Sequence, residues 1–376
     1  MSIKIVADAT IPYLPLGMPG REEGVEAVYL MPEEFTPERL SAEQPDALMV
    51  RSVVQCNATL LEGSPVRLVT TATAGYDHID AAYCARQGIE WHNAPGCNAG
   101  GVVQYVLAVL STLAMERGIR LRHFTVGIVG VGHVGSRLER ALRSLGCQVL
   151  LVDPPREKQE GRGEFTTLEE VARRCNVVTF HTPLTREGED ATYHLLSYDF
   201  LSRCACKPII INACRGAVAD TQALIQAKRE GLISDVVVDC WEGEPNISAE
   251  LLALARIASP HIAGFSAEGK ARGAYTSLEQ MGRFFHLPLS KLSAVKPEAP
   301  AHPIISLQDS EYALEEALVR TIDLRGTDSA LRAHHRDFKS IRRAYRYPNE
   351  PAAYTVQGVV DQEARRELSA VGFALA

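Results

Sequence analysis

The chain has 376 residues, of which 46% are hydrophobic and 23% charged, and its formal net charge at pH 7 is −7. The length predicts two or three domains, and the composition is that of a globular protein that buries a core. The negative charge argues against a nucleic-acid or anionic-membrane partner. No uninterrupted apolar run reaches the length of about 18 residues that predicts a membrane span.

The cysteines and histidines predict neither disulfides nor a metal site. The 9 cysteines form no C-x-x-C pair, and several lie in apolar runs, which is typical of reduced, structural thiols in a cytosolic protein. The 11 histidines form no H-x-x-x-H pair. The N-terminal segment turns polar at Asp8 and is predicted to be a strand, not a signal peptide. We therefore expect a cytoplasmic protein.

Short β-branched runs alternate with helical patterns along most of the chain, which predicts parallel sheets built from βαβ units. The first series of predicted strands covers residues 3–8, 47–50, 66–71 and 89–92. The second series covers residues 125–130, 148–152, 177–181, 209–213 and 235–239. These strands are too many for one small sheet. The predicted fold class is therefore α/β, with two doubly wound domains.

Residues 98–118 lie between the two series and are apolar on nearly every face. They predict a helix buried on all sides, between domains or subunits, with Asn98 as its N-cap and Gly118 as its C-cap. From about residue 287 the chain becomes rich in proline, as linkers are. The remaining residues carry few strand signals and several amphipathic helical ones. We predict a small α+β C-terminal domain there.

A predicted strand, a glycine loop and a helix follow one another in residues 125–146. Gly130, Gly132 and Gly135 form G-x-G-x-x-G, in which the glycines permit the turn, the approach to a pyrophosphate and the packing of helix on strand. The next strand ends at Asp153, whose carboxylate accepts from ribose hydroxyls and repels a 2′-phosphate. The sequence predicts binding of NAD in preference to NADP. The alternative for Asp153 is an ordinary loop carboxylate.

Three charged or titratable residues follow strands that are predicted to be buried. They are Arg215 after PIIINA, Glu244 in DCWEGEP and His261 in SPHIAG. Ligands of parallel sheets bind at the carboxyl ends of the strands, so we expect these side chains to converge on one site. Arginine holds a carboxylate through two hydrogen bonds, histidine accepts a hydroxyl proton near neutral pH, and a neighbouring carboxylate favours the charged imidazole. Each residue alone is explained more simply as structural, but their joint occurrence predicts a catalytic set.

This ordered set of motifs resembles the D-isomer-specific 2-hydroxyacid dehydrogenases. The resemblance rests on the glycine loop with Asp153 and on FHTPLT, NACRGAVAD, DCWEGEP and SPHIAG, and it covers most of residues 1–285. The segments LMVRSV, TTATAGYDHID, APGCNA and HIAGFSAEGKARG resemble members of that family that act on a phosphorylated 2-hydroxy acid. The resemblance implies an NAD-dependent oxidoreductase for such an acid, acting as a homodimer through its C-terminal domain.

The resemblance also implies the roles of individual residues. Arg215 would hold the substrate, His261 would be the acid/base and Glu244 its partner. The implied NAD-binding residues are Gly130, Gly132, His133, Val134, Gly135, Asp153, Thr182, Ala213, Cys214, Arg215, Asp239 and Gly264. The implied substrate-binding residues are Ser52, Thr73 and Phe265. Phe265 is a departure, because the members that the chain resembles carry tyrosine there, and phenylalanine lacks the phenolic donor.

The same resemblance implies that the chain returns to its first domain. We predict a flavodoxin-like substrate domain of residues 1–97 completed by residues 265–286. We also predict a Rossmann NAD-binding domain of residues 98–264. The last domain, of residues 287–376, is predicted to be a C-terminal dimerisation domain. The active site is expected in the cleft between the first two domains.

Two alternatives stay open at the level of the sequence. A dehydrogenase for another D-2-hydroxy acid, such as 3-phosphoglycerate or glycerate, would carry the same catalytic set. A non-catalytic NAD-sensing binding protein would not need the Glu244 and His261 pair. The sequence does not locate a site for the substrate phosphate: Arg51, Lys270 and Arg272 are candidates, with solvated surface charges as the alternative.

Overall fold

The computed structural model describes residues 2–308 and 310–376. They form two compact units. The first consists of the residues up to Asn98 together with Ser266–Glu298, and the second of Ala99–Phe265 together with Ala299–Ala376. The polypeptide thus leaves the first unit after Asn98 and returns to it at Ser266.

Strands and helices alternate along most of the chain. The strands are β1 (Ile3–Asp8), β2 (Val25–Leu30), β3 (Ala47–Val50), β4 (Leu68–Thr71), β5 (Glu90–His92), β6 (Thr125–Val129), β7 (Gln148–Val152), β8 (Val177–Phe180), β9 (Ile209–Asn212), β10 (Asp235–Val238), β11 (Ile257–Ala258), β12 (Ile304–Ser306), β13 (Thr355–Gln357) and β14 (Ala374–Leu375). The α-helices are α1 (Leu14–Gly17), α2 (Pro37–Glu43), α3 (Ala58–Leu61), α4 (Ala81–Gln87), α5 (Ala99–Glu116), α6 (His133–Ser144), α7 (Pro154–Glu160), α8 (Leu168–Arg174), α9 (Tyr198–Ser202), α10 (Thr221–Arg229), α11 (Ala249–Leu254), α12 (Ala267–Phe285), α13 (Ala313–Arg320), α14 (Leu324–His334), α15 (Phe338–Ala344) and α16 (Gln362–Ala370).

The first unit is built on a parallel sheet in the order β2-β1-β3-β4-β5, which is the flavodoxin-like order. The central strand β3 is buried at every residue, as its uninterrupted apolar sequence requires. Helix α12 returns to cover one face of the sheet. Its Leu278 and Met281 are buried in one cluster with Met49 and Leu68 of the sheet.

The second unit contains a parallel sheet in the order β11-β10-β9-β8-β6-β7. A single bridge between Leu151 and Phe165 occupies the position beyond β7. With that bridge counted as a reduced strand, the order is that of the Rossmann fold, whose switch point lies between β6 and β8. The two doubly wound sheets confirm the predicted α/β fold class.

Helix α5 is buried along most of its length, with Tyr105, Leu107 and Leu110 almost wholly enclosed. Gly118 follows it in the left-handed conformation expected of a C-cap residue. Among the described residues, α5 alone is long and apolar enough to cross a membrane, but 78% of it is buried inside the protein. The helix is interrupted by polar residues such as Gln104 and Ser111, as the sequence shows, and its burial is that of a core helix.

The C-terminal region contains the parallel sheet β12-β13-β14 and the helices α13 to α16. It does not separate as a third compact unit, because Ile305, Leu314 and Leu368 share one apolar core with α5 and β6. The unit boundary also falls at Glu298, beyond the predicted end of the first domain at residue 286. A role of this region in dimerisation stays a prediction.

The 9 cysteines are free thiols in the structure, and all but Cys206 are buried. Burial raises the pKa of Cys147, Cys175 and Cys204 to about 12, so these thiols stay protonated at neutral pH. Such thiols act as small apolar core residues.

A buried ion pair joins the C-terminal region to the loop after α5. The Nε of Arg120 donates to both carboxylate oxygens of Glu315 at 3.0 and 3.2 Å, and the backbone N–H of Leu121 donates to Glu315 Oε1 at 2.8 Å. The guanidinium also donates to Glu367 at 2.8 Å. The side chain of Glu315 is only 1% exposed. Such a carboxylate is stable only with all its donors in place.

We expect Glu315→Ala to lower the free energy of unfolding by about 3 kcal/mol, because it leaves the Leu121 N–H without its acceptor and the half-buried Arg120 guanidinium with Glu367 alone. Urea unfolding would measure the change. Glu316→Ala, one residue along α13 on a partly exposed position, is the matched control and should cost less than about 1 kcal/mol. Equal losses in the two variants would contradict a docking role for Glu315.

Candidate active site

The glycine loop connects β6 to α6 at the switch point of the second sheet. Gly130 has φ +89°, and a Cβ there would lie 2.7 Å from the backbone of His181. A Cβ on Gly135 would lie 2.1 Å from the carbonyl oxygen of Gly130, so the close packing of helix and loop requires glycine at both positions. Gly132 has open space where its Cβ would be. The loop therefore has the close backbone and the free surface that a pyrophosphate needs.

Helix α6 begins at His133 directly after Gly132, and no side chain caps its first turn. Its first N–H groups are thus not bonded to a capping side chain and face the position of an incoming anion. His133 is exposed, and Val134 is half-buried behind it. This arrangement fits the cofactor that the glycine spacing predicts.

Asp153 lies at the end of β7, as predicted, and links two parts of this site. Its Oδ2 accepts from the backbone N–H of Val131 at 2.7 Å, and its Oδ1 accepts from the N–H of Arg156 at 3.1 Å. Arg156 in turn donates to the carbonyl of Val131 at 2.7 Å and to both oxygens of Glu160. Asp153 therefore has a loop-fixing role in addition to any contact with a ribose.

Thr182 follows β8 beside the glycine loop. Among the described residues its buried Oγ1 has no partner of good hydrogen-bond geometry and only the weakly bonding thiol of Cys214 beside it. A buried hydroxyl without a partner is costly and marks a position where a ligand atom can supply the missing bond. The neighbouring His181 is half-buried with its Nδ1 enclosed, and desolvation of the ring lowers its pKa to about 3, so that the imidazole is neutral. The open surface at Gly132 and the orphaned Thr182 hydroxyl both fit a dinucleotide at this edge.

Arg215 begins the turn after β9, following the buried residues Ala213 and Cys214. Its Nη1 donates to the carbonyl of Cys214 at 2.9 Å. The amide of Asn212 donates to the carbonyls of both Arg215 and Cys240 at 3.1 Å. The turns that follow β9 and β10 are thereby held side by side.

Glu244 and His261 come together at the same edge of the sheet. Their Oε1 and Nδ1 are 2.5 Å apart. Glu244 Oε2 also accepts from the backbone N–H of Trp241 at 3.3 Å. Burial raises the pKa of Glu244, but the hydrogen bond and charge of His261, the Trp241 N–H and the charge of Arg342 outweigh it and hold that pKa below its usual value. Glu244 is thus ionised at neutral pH and orients the imidazole through Nδ1.

Asp239, which directly follows β10, organises the loop that carries His261. Its Oδ1 accepts from the hydroxyl of Ser259 at 2.6 Å and from the N–H of Ile262 at 2.7 Å, and its Oδ2 accepts from the N–H of Ala263 at 3.0 Å. Its backbone carbonyl accepts from the N–H of His261 at 2.8 Å. Burial raises the pKa of Asp239, and the three hydrogen bonds and the charge of His261 oppose this effect. The sequence predicted a cofactor contact for Asp239 but not this role, for which no motif exists.

Phe265 ends the same loop, one residue after the half-buried Gly264. Its ring meets the ring of Tyr347 edge-on with centroids 5.7 Å apart and that of Tyr345 at 6.5 Å. The guanidinium of Arg342 lies over the Phe265 ring, 5.3 Å from its centroid. No sequence signal linked these C-terminal residues to the loop.

The predicted substrate residues of the first unit lie after β3 and β4. Ser52 is exposed in the turn that follows β3. The hydroxyl of Thr73 bonds that of Thr71 at 2.8 Å and donates to the carbonyl of Gly75, while Thr71 bonds His78 Nε2 at 3.0 Å. Burial lowers the pKa of His78 to about 4, so the imidazole at the end of this chain of hydrogen bonds is neutral at pH 7. Thr73 is therefore held in a fixed orientation at the carboxyl edge.

Three comparisons with known proteins agree with this geometry. The sequence profile described as "D-isomer specific 2-hydroxyacid dehydrogenase, NAD binding domain" matches residues 109–263. Erythronate-4-phosphate dehydrogenase of Porphyromonas gingivalis is 47% identical over 96% of this chain and 98% of the relative. The enzyme of the same name from Proteus mirabilis is 39% identical over 99% of both chains.

Solved structures resemble the fold at lower identity. NAD-bound 3-phosphoglycerate dehydrogenase of Entamoeba histolytica has a TM-score of 0.64 and 24% identity, covering 76% of this chain and 96% of that one. D-lactate dehydrogenase of Aquifex aeolicus, solved with NAD and lactic acid, has a TM-score of 0.61 and 22% identity, covering 78% and 100%. At these identities the likeness establishes the fold alone.

We expect Asp239→Asn to lower the free energy of unfolding by roughly 1–3 kcal/mol, because the new amide presents N–H donors to groups that are themselves donors. Thermal or urea unfolding would measure this loss. Asp235→Asn, at the other end of β10, weakens partly exposed ion pairs with Arg117 and Lys228 and should cost less than about 1 kcal/mol. An Asp239→Asn protein as stable as this control would contradict the organising role.

Proposed function

Because the chain belongs to the D-isomer-specific 2-hydroxyacid dehydrogenases, we propose that it oxidises 4-phospho-D-erythronate with NAD⁺. The product is (R)-3-hydroxy-2-oxo-4-phosphooxybutanoate, an intermediate on the way to pyridoxal 5′-phosphate. The curated relatives that match over nearly the whole chain carry the name of that activity. The observation that carries the chemistry is the 2.5 Å hydrogen bond between Glu244 and His261 at the edge that also holds the glycine loop.

Each group of residues has its own role in the oxidation of the secondary alcohol. The Arg215 guanidinium binds the substrate carboxylate and the neighbouring oxygen through two parallel hydrogen bonds. His261, oriented through Nδ1 by Glu244, presents Nε2 to the 2-hydroxyl and accepts its proton. NAD⁺ supplies the acceptor for the hydride that leaves C2. The glycine loop, Asp153 and Thr182 hold the cofactor, and Ser52, Thr73 and Phe265 contact the acid.

A substrate comparison tests the proposal. Formation of NADH would be followed with 4-phospho-D-erythronate, 3-phosphoglycerate, D-glycerate and D-lactate at equal concentrations. We expect the highest kcat/KM with phosphoerythronate. A higher kcat/KM with 3-phosphoglycerate or glycerate would assign the chain to another activity of the same family.

The pH dependence of oxidation tests the proposed roles of His261 and Glu244. The acid/base must be neutral to accept the hydroxyl proton, so kcat/KM should rise with pH through the apparent pKa of the pair, and reduction of the oxo acid should fall. Glu244, whose lowered pKa keeps it ionised at neutral pH, favours the protonated imidazole. Glu244→Gln removes that negative charge, so we expect the apparent pKa of the rise to shift downwards.

Glu242→Gln is the matched control for this shift. Glu242 lies in the same turn and forms a second pair of the same kind, with His194 Nε2 at 2.6 Å. Its variant should give the pH profile of the parent protein. A Glu244→Gln profile that overlays the parent would exclude Glu244 as the partner of the acid/base.

Asp153 should determine the choice of cofactor. Asp153→Ala should weaken NAD binding and admit NADP, because it removes the repulsion of a 2′-phosphate and leaves the cation of Arg156 nearby. The ratio of kcat/KM for the two cofactors would measure this. Asp153→Asn keeps an acceptor for the Val131 N–H and therefore separates the loss of charge from the loss of loop structure. An unchanged ratio in both variants would place Asp153 away from the ribose.

The substrate phosphate requires a cation in addition to Arg215, and the first unit offers three. Arg51 donates to the carbonyl of Thr10 at 2.9 Å, Arg272 donates to the carbonyl of Cys97 at 3.0 Å, and Lys270 lies on the same helix, α12. Loss of a charge-assisted contact costs about 1.5–3 kcal/mol, so alanine at a true phosphate ligand should raise KM for phosphoerythronate at least about tenfold. Unphosphorylated erythronate is the control substrate. Equal damage with both acids would rule out a phosphate contact.

We also propose that the protein works in the cytoplasm as a homodimer that forms through its C-terminal region. Two large apolar side chains of that region are exposed, Ile304 at 56% and Val360 at 70%. Contiguous apolar patches mark interaction surfaces, whereas single apolar side chains are ordinary, so these two are candidate contacts only. The support for a dimer is the resemblance of this region to the dimerisation domain of the family. Sedimentation velocity would give twice the chain mass of 41.1 kDa for such a dimer.

A further inference from the structure

The backbone of His261 adopts an unfavourable conformation that contacts with other residues must stabilise. Its φ is +57°, in the left-handed region that a residue with a Cβ rarely occupies. Residues held in such conformations cost about 1–3 kcal/mol and persist only where their surroundings determine them. The N–H of His261 donates to Asp239, but its carbonyl needs a donor of its own. That donor is Arg342 Nε of α15, at 3.1 Å.

Arg342 reaches both ends of the loop that carries the acid/base. Its Nε binds the carbonyl of His261, and its guanidinium covers the ring of Phe265 at 5.3 Å from the centroid. Tyr347 and Tyr345 border the same ring from the segment that follows α15. One cation from the C-terminal region thus contacts the residue proposed as acid/base and a residue proposed to contact substrate.

The position of α15 is fixed by contacts with the same part of the sheet. Asp328 of α14 accepts from the N–H of Ala258 in β11 at 2.7 Å. Arg332, also in α14, donates to the carbonyls of Leu252 and Ala255 at 2.6 and 2.7 Å. Phe338, at the start of α15, is buried in the apolar cluster beneath β8, β9 and β10. Arg342 is therefore presented by a helix that is anchored through Phe338 and that follows α14, which binds directly to the strand that precedes His261.

We propose that Arg342 is a positioning residue of the active site, which fixes the His261 carbonyl and the Phe265 ring. The segment from α14 to Tyr347 is then a part of the active site of its own chain, in addition to any role in assembly. The inference rests on the proposed function, because it assigns Arg342 to the loop that carries the acid/base. The charge of Arg342 also contributes to the lowered pKa of Glu244.

The test compares Arg342→Ala with Arg343→Ala, which removes the same charge from the next, exposed position of α15. A misplaced acid/base costs about tenfold to hundredfold in rate, so we expect kcat of Arg342→Ala to fall by that factor. The Kd for NADH, from fluorescence quenching, should stay within about twofold of the parent because the glycine loop is untouched. Methylguanidinium added to Arg342→Ala should restore part of kcat. Arg343→Ala should match the parent in each measurement.

Hydrogen exchange supplies a readout that does not depend on turnover. Deuterium uptake in peptides that cover residues 258–265 should rise in Arg342→Ala and stay unchanged in Arg343→Ala. Unchanged uptake together with a parental kcat would overturn the proposal, as would a loss of kcat that Arg343→Ala shares. A parent protein that oxidises none of the D-2-hydroxy acids would contradict the proposed function alone, and the exchange result would still decide whether Arg342 holds the loop.

Discussion

The buried carboxylate of Asp239 is the interaction on which the active edge of the second unit depends. It directly follows β10, and both of its oxygens accept from the loop that follows β11, where Ser259, Ile262 and Ala263 supply the donors. Burial alone would favour its protonated form, so the carboxylate is tolerated only because the loop closes around it. The same closure sets His261 beside Glu244. The conformation of the loop that carries the proposed acid/base and the hydrogen bonding of Asp239 therefore depend on each other.

The elements that the sequence predicted well are those buried on both faces of a parallel sheet. β1, β3 and β7 match their predicted bounds, and β5, β6, β8, β9 and β10 differ by one residue at an end. Among them β3, β8 and β9 are buried at every residue, and a strand without a solvent face is mostly apolar. Residues that end such strands could also be assigned to one edge, since parallel strands bring their carboxyl ends together. The close approach of Glu244 to His261 follows from that rule. The α/β class and the NAD-binding family could therefore be predicted from the sequence.

The other elements depend on tertiary contacts that leave no local pattern in the sequence. β2 lies at the edge of its sheet, and its partly exposed residues, from Glu26 to Tyr29, lack the apolar run of a central strand. The short strands β12, β13 and β14 pair across long stretches of chain, so their register is set by tertiary structure. The C-terminal region was expected to form a domain of its own, yet its helices complete the core around α5. Amphipathic helices show that a face is buried, but not which partner buries it.

At position 265, the hydrogen bond of the hydroxyl that phenylalanine lacks is weaker than the contacts of the ring that it keeps. Relative to tyrosine, phenylalanine loses a phenolic donor whose neutral hydrogen bond contributes about 0.5–1.5 kcal/mol. The retained ring meets an arginine and two tyrosines, and a cation over a ring contributes about 0.5–2 kcal/mol while each aromatic pair adds about 0.5–1.5 kcal/mol. The ring therefore contributes more than the hydroxyl to the structure of this loop. Because the ring contacts that hold the end of the His261 loop are intact, we expect the exchange of tyrosine for phenylalanine to leave the proposed catalytic arrangement in place and to remove one polar contact at its margin.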